Sequence, residues 1–165
     1  MRTYTCSHTT VQLIHTNFAR RITNMHRILI VNGPNLDLLG VRELQIYGDR
    51  TFESYLAELK GLFPAVTMSY AHSNSEGELV EVLRAAGGRV DGVVFNPGGY
   101  SHTSVALRDT ISAIGLPVVE VHISNIHARE AFRHNTITGA VCAGVITGFG
   151  LDGYRLAILS LLQRF

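Results

Sequence analysis

The chain is short of cysteine, of acidic residues near its start and of long apolar runs, and each shortage argues against a class of protein. Its two cysteines, Cys6 and Cys142, stand alone with no Cys-x-x-Cys pair. That argues against a disulfide scaffold or a thiolate zinc site and suits a reducing compartment, the cytoplasm. Charged residues make up only 16% and the net charge is +1, so there is none of the basic excess that nucleic-acid binders use. Arg, Asp, His, Gly or Asn interrupts every apolar stretch before it nears the roughly 18 residues of a membrane span. There is no G-x-x-x-x-G-K-[ST] phosphate loop and no G-x-S-x-G elbow, which lowers nucleotide hydrolysis and α/β-hydrolase chemistry.

No carboxylate occurs before Asp37, so the leading segment carries Arg2, Arg20, Arg21 and Arg27 among many threonines. Such a leader resembles an organellar transit peptide, but Met25 stands just before the first apolar run and could equally be the start. Residues 1-24 are therefore read as an extension outside the fold, disordered or upstream of the true start, and 25-165 as one domain. The 165 residues are enough to bury a single core without staples.

From Arg27 onward, short β-rich runs alternate with helical periodicities five times, the pattern of an α/β domain with a parallel sheet. Ile28-Leu29-Ile30-Val31 is continuously apolar, as a strand buried on both faces should be. Thr51 can cap a helix whose Phe52, Tyr55, Leu56, Leu59, Leu62 and Phe63 follow the i, i+3, i+4, i+7 rule. Residues 65 to 70 form a second strand, followed by a helix ending at Gly87-Gly88. Gly92 to Phe95 form a third, and Thr103 or Ser104 can cap the helix after it. Pro117 opens the fourth strand, and a last one over about 141 to 147 leads through Gly148-Phe149-Gly150 into a terminal helix. Five such units most often adopt the flavodoxin-like order 2-1-3-4-5, a three-layer fold that binds ligands between strands one and three.

Polar residues cluster after the three strands which that order makes neighbours. The densest run is Val118 to Arg133, where an apolar strand leads into Ser124, Asn125, His127, Arg129 and Arg133. By two-residue alternation Glu120 and His122 share one face of that strand, opposite Val119 and Val121. An imidazole beside a carboxylate suits proton donation; a core histidine satisfied by backbone is the alternative. Backbone amides at Ile123 and Ser124 could hold a carboxylate, with Arg133 adding charge. Equally, Arg129 and Arg133 could decorate a solvated helix face. Asn35, Asn96 and His102 suit hydroxyls or an enolate oxygen. The loop from Asn32 to Gly48 is longer than an ordinary βα connection, the length of a lid. It carries Arg42 and Tyr47, and bringing a phenol from its ordinary pKa to about 7 requires roughly 4 kcal/mol, which one desolvated Arg could supply. A surface Arg and a packing Tyr is the other reading. Gly148 to Gly153 matches G-x-G-x-x-G, but without a following strand or acidic residue it reads as a tight turn. Glu120, His122 and His127 lack the helical H-E-x-x-H spacing of a metal site, so neither metal nor cofactor is expected.

Three long motifs then stand in order: Asn32-Gly-Pro-Asn-Leu36 with Arg42-Glu43 and Ile46-Tyr47-Gly48; Asn96-Pro-Gly-Gly-Tyr-Ser-His-Thr-Ser-Val-Ala-Leu-Arg-Asp109; and Glu120-Val-His-Ile-Ser-Asn-Ile-His-Ala-Arg-Glu130. From about Met25 to the C-terminus the chain resembles the type II 3-dehydroquinate dehydratases. The resemblance implies a flavodoxin-like subunit, free of cofactor and metal, that converts 3-dehydroquinate to 3-dehydroshikimate by anti elimination through an enolate, in the shikimate pathway or quinate breakdown. It further implies that Tyr47 is the base, Arg42 lowers its pKa, His122 protonates the departing hydroxyl, Asn35 helps hold a water on the enolate and Glu120 orients the site. Asn96, His102, Ile123, Ser124 and Arg133 would bind substrate. Asp109 would reach the site of a neighbouring subunit in a dodecamer built from trimers. Leu44, where many relatives have Pro, and Thr136-Ile137-Thr138-Gly139-Ala140 depart from the family pattern; the first would alter lid stiffness, the second packing near Arg133.

Overall fold

The computed structural model describes residues 26–40 and 50–165. Five parallel strands form one sheet in the order β2-β1-β3-β4-β5, the order expected of five βα units. The strands are β1 (His26–Asn32), β2 (Val66–His72), β3 (Gly92–Asn96), β4 (Val118–His122) and β5 (Gly144–Thr147). The longer helices are α1 (Phe52–Leu62), α2 (Glu76–Ala86), α3 (Val105–Ala113) and α4 (Asp152–Leu162).

Side-chain alternation divides the apolar residues between two cores. Ile28, Ile30, Val94, Val119 and Val121 meet Leu59 of α1 and Tyr154, Ile158 and Leu161 of α4 on one face. Leu29, Val31, Val93, Phe95 and Val118 meet Leu79 and Leu83 of α2 and Leu107 of α3 on the other. Each such fully buried aliphatic side chain contributes about 1.5–3 kcal/mol, so the sheet holds its strand ends in fixed relation. Among the described residues, no helix is long and apolar enough to cross a membrane.

The helix starts follow the capping residues. Thr51, Ser75 and Ser104 accept from the backbone N–H three residues on, at Ser54, Glu78 and Leu107, supplying partners to donors that a helix end leaves unpaired. Ser104 rather than Thr103 is the cap of α3. β5 is shorter than the 141 to 147 run because Gly139–Val141 forms a 3-10 turn, in which Val141 N–H donates to Thr138 O at 3.1 Å. Gly148 and Gly150 take φ of 87° and 59°, so the glycine pattern there is the tight turn expected. In register, Asn32 pairs with Asn96 and Phe95 with Glu120, which sets the polar ends of β1, β3 and β4 side by side.

Candidate active site

The first wall comes from the turn after β1. Gly33 N–H donates to Asn96 O at 2.7 Å, and a Cβ on Gly33 would lie 2.6 Å from Pro97 O. Only glycine lets the two loops approach so closely. Asn35 adopts φ 66°, a left-handed conformation that Asn tolerates, and its N–H donates to Asn74 Oδ1 at 2.9 Å. Leu36 and Leu39 are buried behind it.

The second wall follows β3. Asn96 is nearly enclosed, with its Oδ1 accepting from Gly98 N–H at 3.1 Å. A 3-10 turn over Gly98–His102 then brings His102 round, its Nδ1 lying 2.9 Å from Asn135 O. Because a carbonyl only accepts, hydrogen-bond logic assigns the proton to Nδ1 and leaves Nε2 for another partner. The His102 and His122 rings lie 6.2 Å apart, nearly parallel.

The third wall is β4 and its exit. Glu120, opposite the core-facing Val119 and Val121, has no exposure at all. One carboxylate oxygen, Oε1, lies 2.7 Å from His122 Nε2, and the other accepts from Thr138 Oγ1 at 2.5 Å. With the carboxylate ionised, His122 Nε2 is the donor and Nδ1 is the nitrogen left to act on another group. The pair is thus an imidazole anchored at one end.

These walls enclose a cleft of about 220 Å³. Asn35 comes from the first loop, Asn96 and His102 from the second, and His122, Ile123 and Ser124 from the third, with Arg133 beside them. Glu120 stands behind His122 rather than in the cleft. Asp109 lies elsewhere, exposed on α3 and paired with Arg108 at 3.3 Å. Arg42 and Tyr47 lie outside the described residues. Arg129 also lines the cleft and donates to Ser124 Oγ at 3.3 Å; the sequence pattern marks it only as part of the polar run and as one of a pair suited to a solvated helix face. No such helix forms, since Ile126–Ala128 and Ala131–Arg133 are separate 3-10 turns.

Among the described residues, neither a carboxylate nor a tyrosine lines the cleft. Tyr154, a phenol in contact with Asn96, accepts from Asn96 Nδ2 at 3.0 Å and donates to Asn32 Oδ1 at 2.8 Å. Burial pushes its pKa well above the ordinary phenol value, so it stays protonated and serves as a strut rather than a base. Two guanidiniums, two imidazoles and neutral amides therefore face a small, water-accessible space, which suits an anionic ligand and the donation of a proton to it.

Comparison with known proteins bears on that chemistry. A family model described as "Dehydroquinase class II" matches residues 26–162. A 3-dehydroquinate dehydratase of an Exiguobacterium species is 53% identical over 140 residues, 84% of this chain and 96% of that protein. One from Bacillus cytotoxicus is 48% identical over 142 residues, covering 85% and 97%. The crystal structure of a type II dehydroquinase from Butyrivibrio crossotus superposes with a TM-score of 0.80 at 40% identity, covering 82% of this chain and 97% of that one.

Proposed function

The chain belongs to the dehydroquinase class II family, and from that membership we propose that it removes water from 3-dehydroquinate, the substrate in its relatives' names, to give 3-dehydroshikimate. The observation that carries the reading on this chain's own residues is the anchored imidazole of His122, 2.7 Å from buried Glu120 and facing a cleft walled by arginine and amide groups.

In this reading Tyr47, as a phenolate beside Arg42, takes the proton from the carbon next to the ketone. The electron pair of that C–H bond becomes an enolate, and Asn35 holds a water against its oxygen. The enolate then collapses, the C–O bond on the opposite face breaks, and His122 donates a proton so that the hydroxyl leaves as water. Tyr47 is left protonated and His122 neutral, and exchange with solvent restores both. Glu120 keeps the His122 ring in place. Asn96 and His102 take the hydroxyls, while the Ile123 and Ser124 amides and Arg133 take the carboxylate. Neither metal nor cofactor enters this scheme.

Asp109 would act on a neighbouring subunit's site, in a dodecamer built from trimers. Val105, one turn before it on α3, is a large exposed apolar residue of the kind a subunit contact covers. We place the reaction in the cytoplasm, where the free thiol of Cys142 would persist.

Adding 3-dehydroquinate to metal-free protein should raise ultraviolet absorbance as the conjugated enone forms, and no rise from correctly assembled protein overturns the reading. Tyr47→Phe should abolish turnover while substrate still binds; a rate near wild type removes Tyr47 as the base.

A further inference from the structure

We propose that Thr138 is a positioning residue for this reaction, holding the Glu120 carboxylate in the orientation that serves His122; the inference rests on His122 being the proton donor. Glu120 has no exposure, yet His122 engages only Oε1. The terminal torsion of a glutamate is broad, so one contact does not fix the carboxylate plane, and an unpaired oxygen in a buried carboxylate is costly. The flanking residues in register, Phe95 and Val145, bring only apolar side chains. Thr138 brings the hydroxyl, donating to Oε2 at 2.5 Å.

Thr138 is itself rigidly held. It has no exposure, and the N–H groups of Ile137 and Thr138 donate to Ser101 O at 2.8 and 3.4 Å. Its carbonyl accepts from Val141 N–H at 3.1 Å and from the Cys142 thiol at 3.4 Å. Ser101 adjoins His102, so the segment that grips the carboxylate is tied to the loop that presents the cleft's other histidine. Gly139 lets the segment press inward: a Cβ there would lie 2.7 Å from Val145 Cγ2 and 3.1 Å from Glu120 Oε1.

Among the described residues, Cys142 lies 4.0 Å from Glu120 Oε2 and the His102 ring 6.2 Å from the His122 ring, with Arg129 and Arg133 in the cleft wall. A hydrogen bond donated to Oε2 holds the carboxylate plane so that Oε1 stays on His122 Nε2. Losing the hydroxyl lets Glu120 turn away, and His122 then loses the counter-charge beside it.

The test compares the full-length wild type with Thr138→Val, which keeps shape but not donor, and Thr138→Ser, which keeps the donor. The valine variant should lose about tenfold or more in kcat, with KM within about threefold. The alkaline limb of its kcat profile, where the imidazolium is lost, should move to lower pH. Nitrogen-15 NMR of the His122 ring without substrate should show the same downward move, and serine should restore both. A folded valine variant with wild-type kcat and ring titration overturns the proposal, as does lost rate with the titration unmoved. If the valine variant does not fold, serine decides: a folded Thr138→Ser variant whose rate or titration departs from wild type assigns the effect to the methyl group and overturns the proposal. A wild type without turnover would sink the dehydratase reading, while the ring titration would still report on Thr138.

Discussion

Asn96, at the end of β3, donates to the hydroxyl of Tyr154 on the last helix at 3.0 Å, and that hydroxyl donates in turn to Asn32 Oδ1 at 2.8 Å. A phenol can accept and donate at once only while it keeps its proton, and complete burial secures that. The contact fixes which end of the Asn96 amide faces helix α4, and so which end meets the Gly98 N–H. Two loops of the cleft are thereby referenced to one buried ring.

Tyr154→Phe should therefore act on both stability and binding. It leaves an Asn96 N–H and Asn32 Oδ1 without that partner, at a cost of about 1–3 kcal/mol in urea unfolding. With Asn96 free to rotate, KM should rise several-fold while kcat falls less. Unchanged unfolding and unchanged KM together would show that the strut is dispensable.

The approach of the first two loops depends on a missing side chain. Gly33→Ala places a methyl 2.6 Å from Pro97 O and 2.7 Å from Pro97 C, both backbone atoms that cannot swing aside. The loops must part, breaking the 2.7 Å bond from Gly33 N–H to Asn96 O. Turnover should fall by at least about tenfold with a loss of roughly 1–3 kcal/mol in stability. A crystal structure of the variant with that bond intact would refute the clash.

Acid should weaken the molecule partly through Arg27 and Asp91. The Arg27 guanidinium at 3.0 Å, then its N–H at 2.7 Å, hold the Asp91 carboxyl below the usual carboxylate range. A lowered native pKa adds stability above the unfolded value near 3.9, and that stability is lost as pH falls through the native value. The Arg27 side chain is half exposed, so screening limits the effect to about 0.2–1 kcal/mol. Asp91→Ala should melt slightly below wild type at neutral pH, and the gap should narrow near pH 2. A gap that stays constant from neutral pH to acid would remove the ion pair from the acid response.

Legibility in the sequence tracks how local each signal is. The strand positions follow from Ile28 to Val31, Gly92 to Phe95 and Val118 onward, because apolar runs and capping residues act over a few positions, whereas their order rests on the arrangement that five βα units most often adopt. That Glu120 and His122 share a face follows from strand alternation, while the structure supplies their 2.7 Å contact. Thr138 does not show itself: its segment stands out only as a departure from the family pattern near Arg133, because its hydrogen bond reaches Glu120, 18 positions away. The bonds of the Tyr154 hydroxyl are hidden for the same reason, since helical spacing reports where a ring lies and not what its hydroxyl meets. The extra residues expected in β5 fall outside it: Val141 and Cys142 look as strand-like as Val145 and Ile146, while the 3-10 turn that removes them is fixed by Gly139 and Thr138.

Cys142 offers a chemical probe of that buried network. Burial first, and then the charge of Glu120, push its thiol up to about 12, so very little thiolate exists near pH 8 and the thiolate is the reactive form. Iodoacetamide at pH 8 should label Cys142 far more slowly in the native chain than after unfolding, with peptide mass spectrometry separating it from Cys6. Glu120→Gln removes the charge but leaves the burial, so labelling should quicken while staying slower than in the unfolded chain. Labelling of the Glu120→Gln variant at the wild-type rate would mean that the Glu120 charge does not act on the thiol, and native labelling as fast as unfolded would mean that the thiol is not sheltered at all.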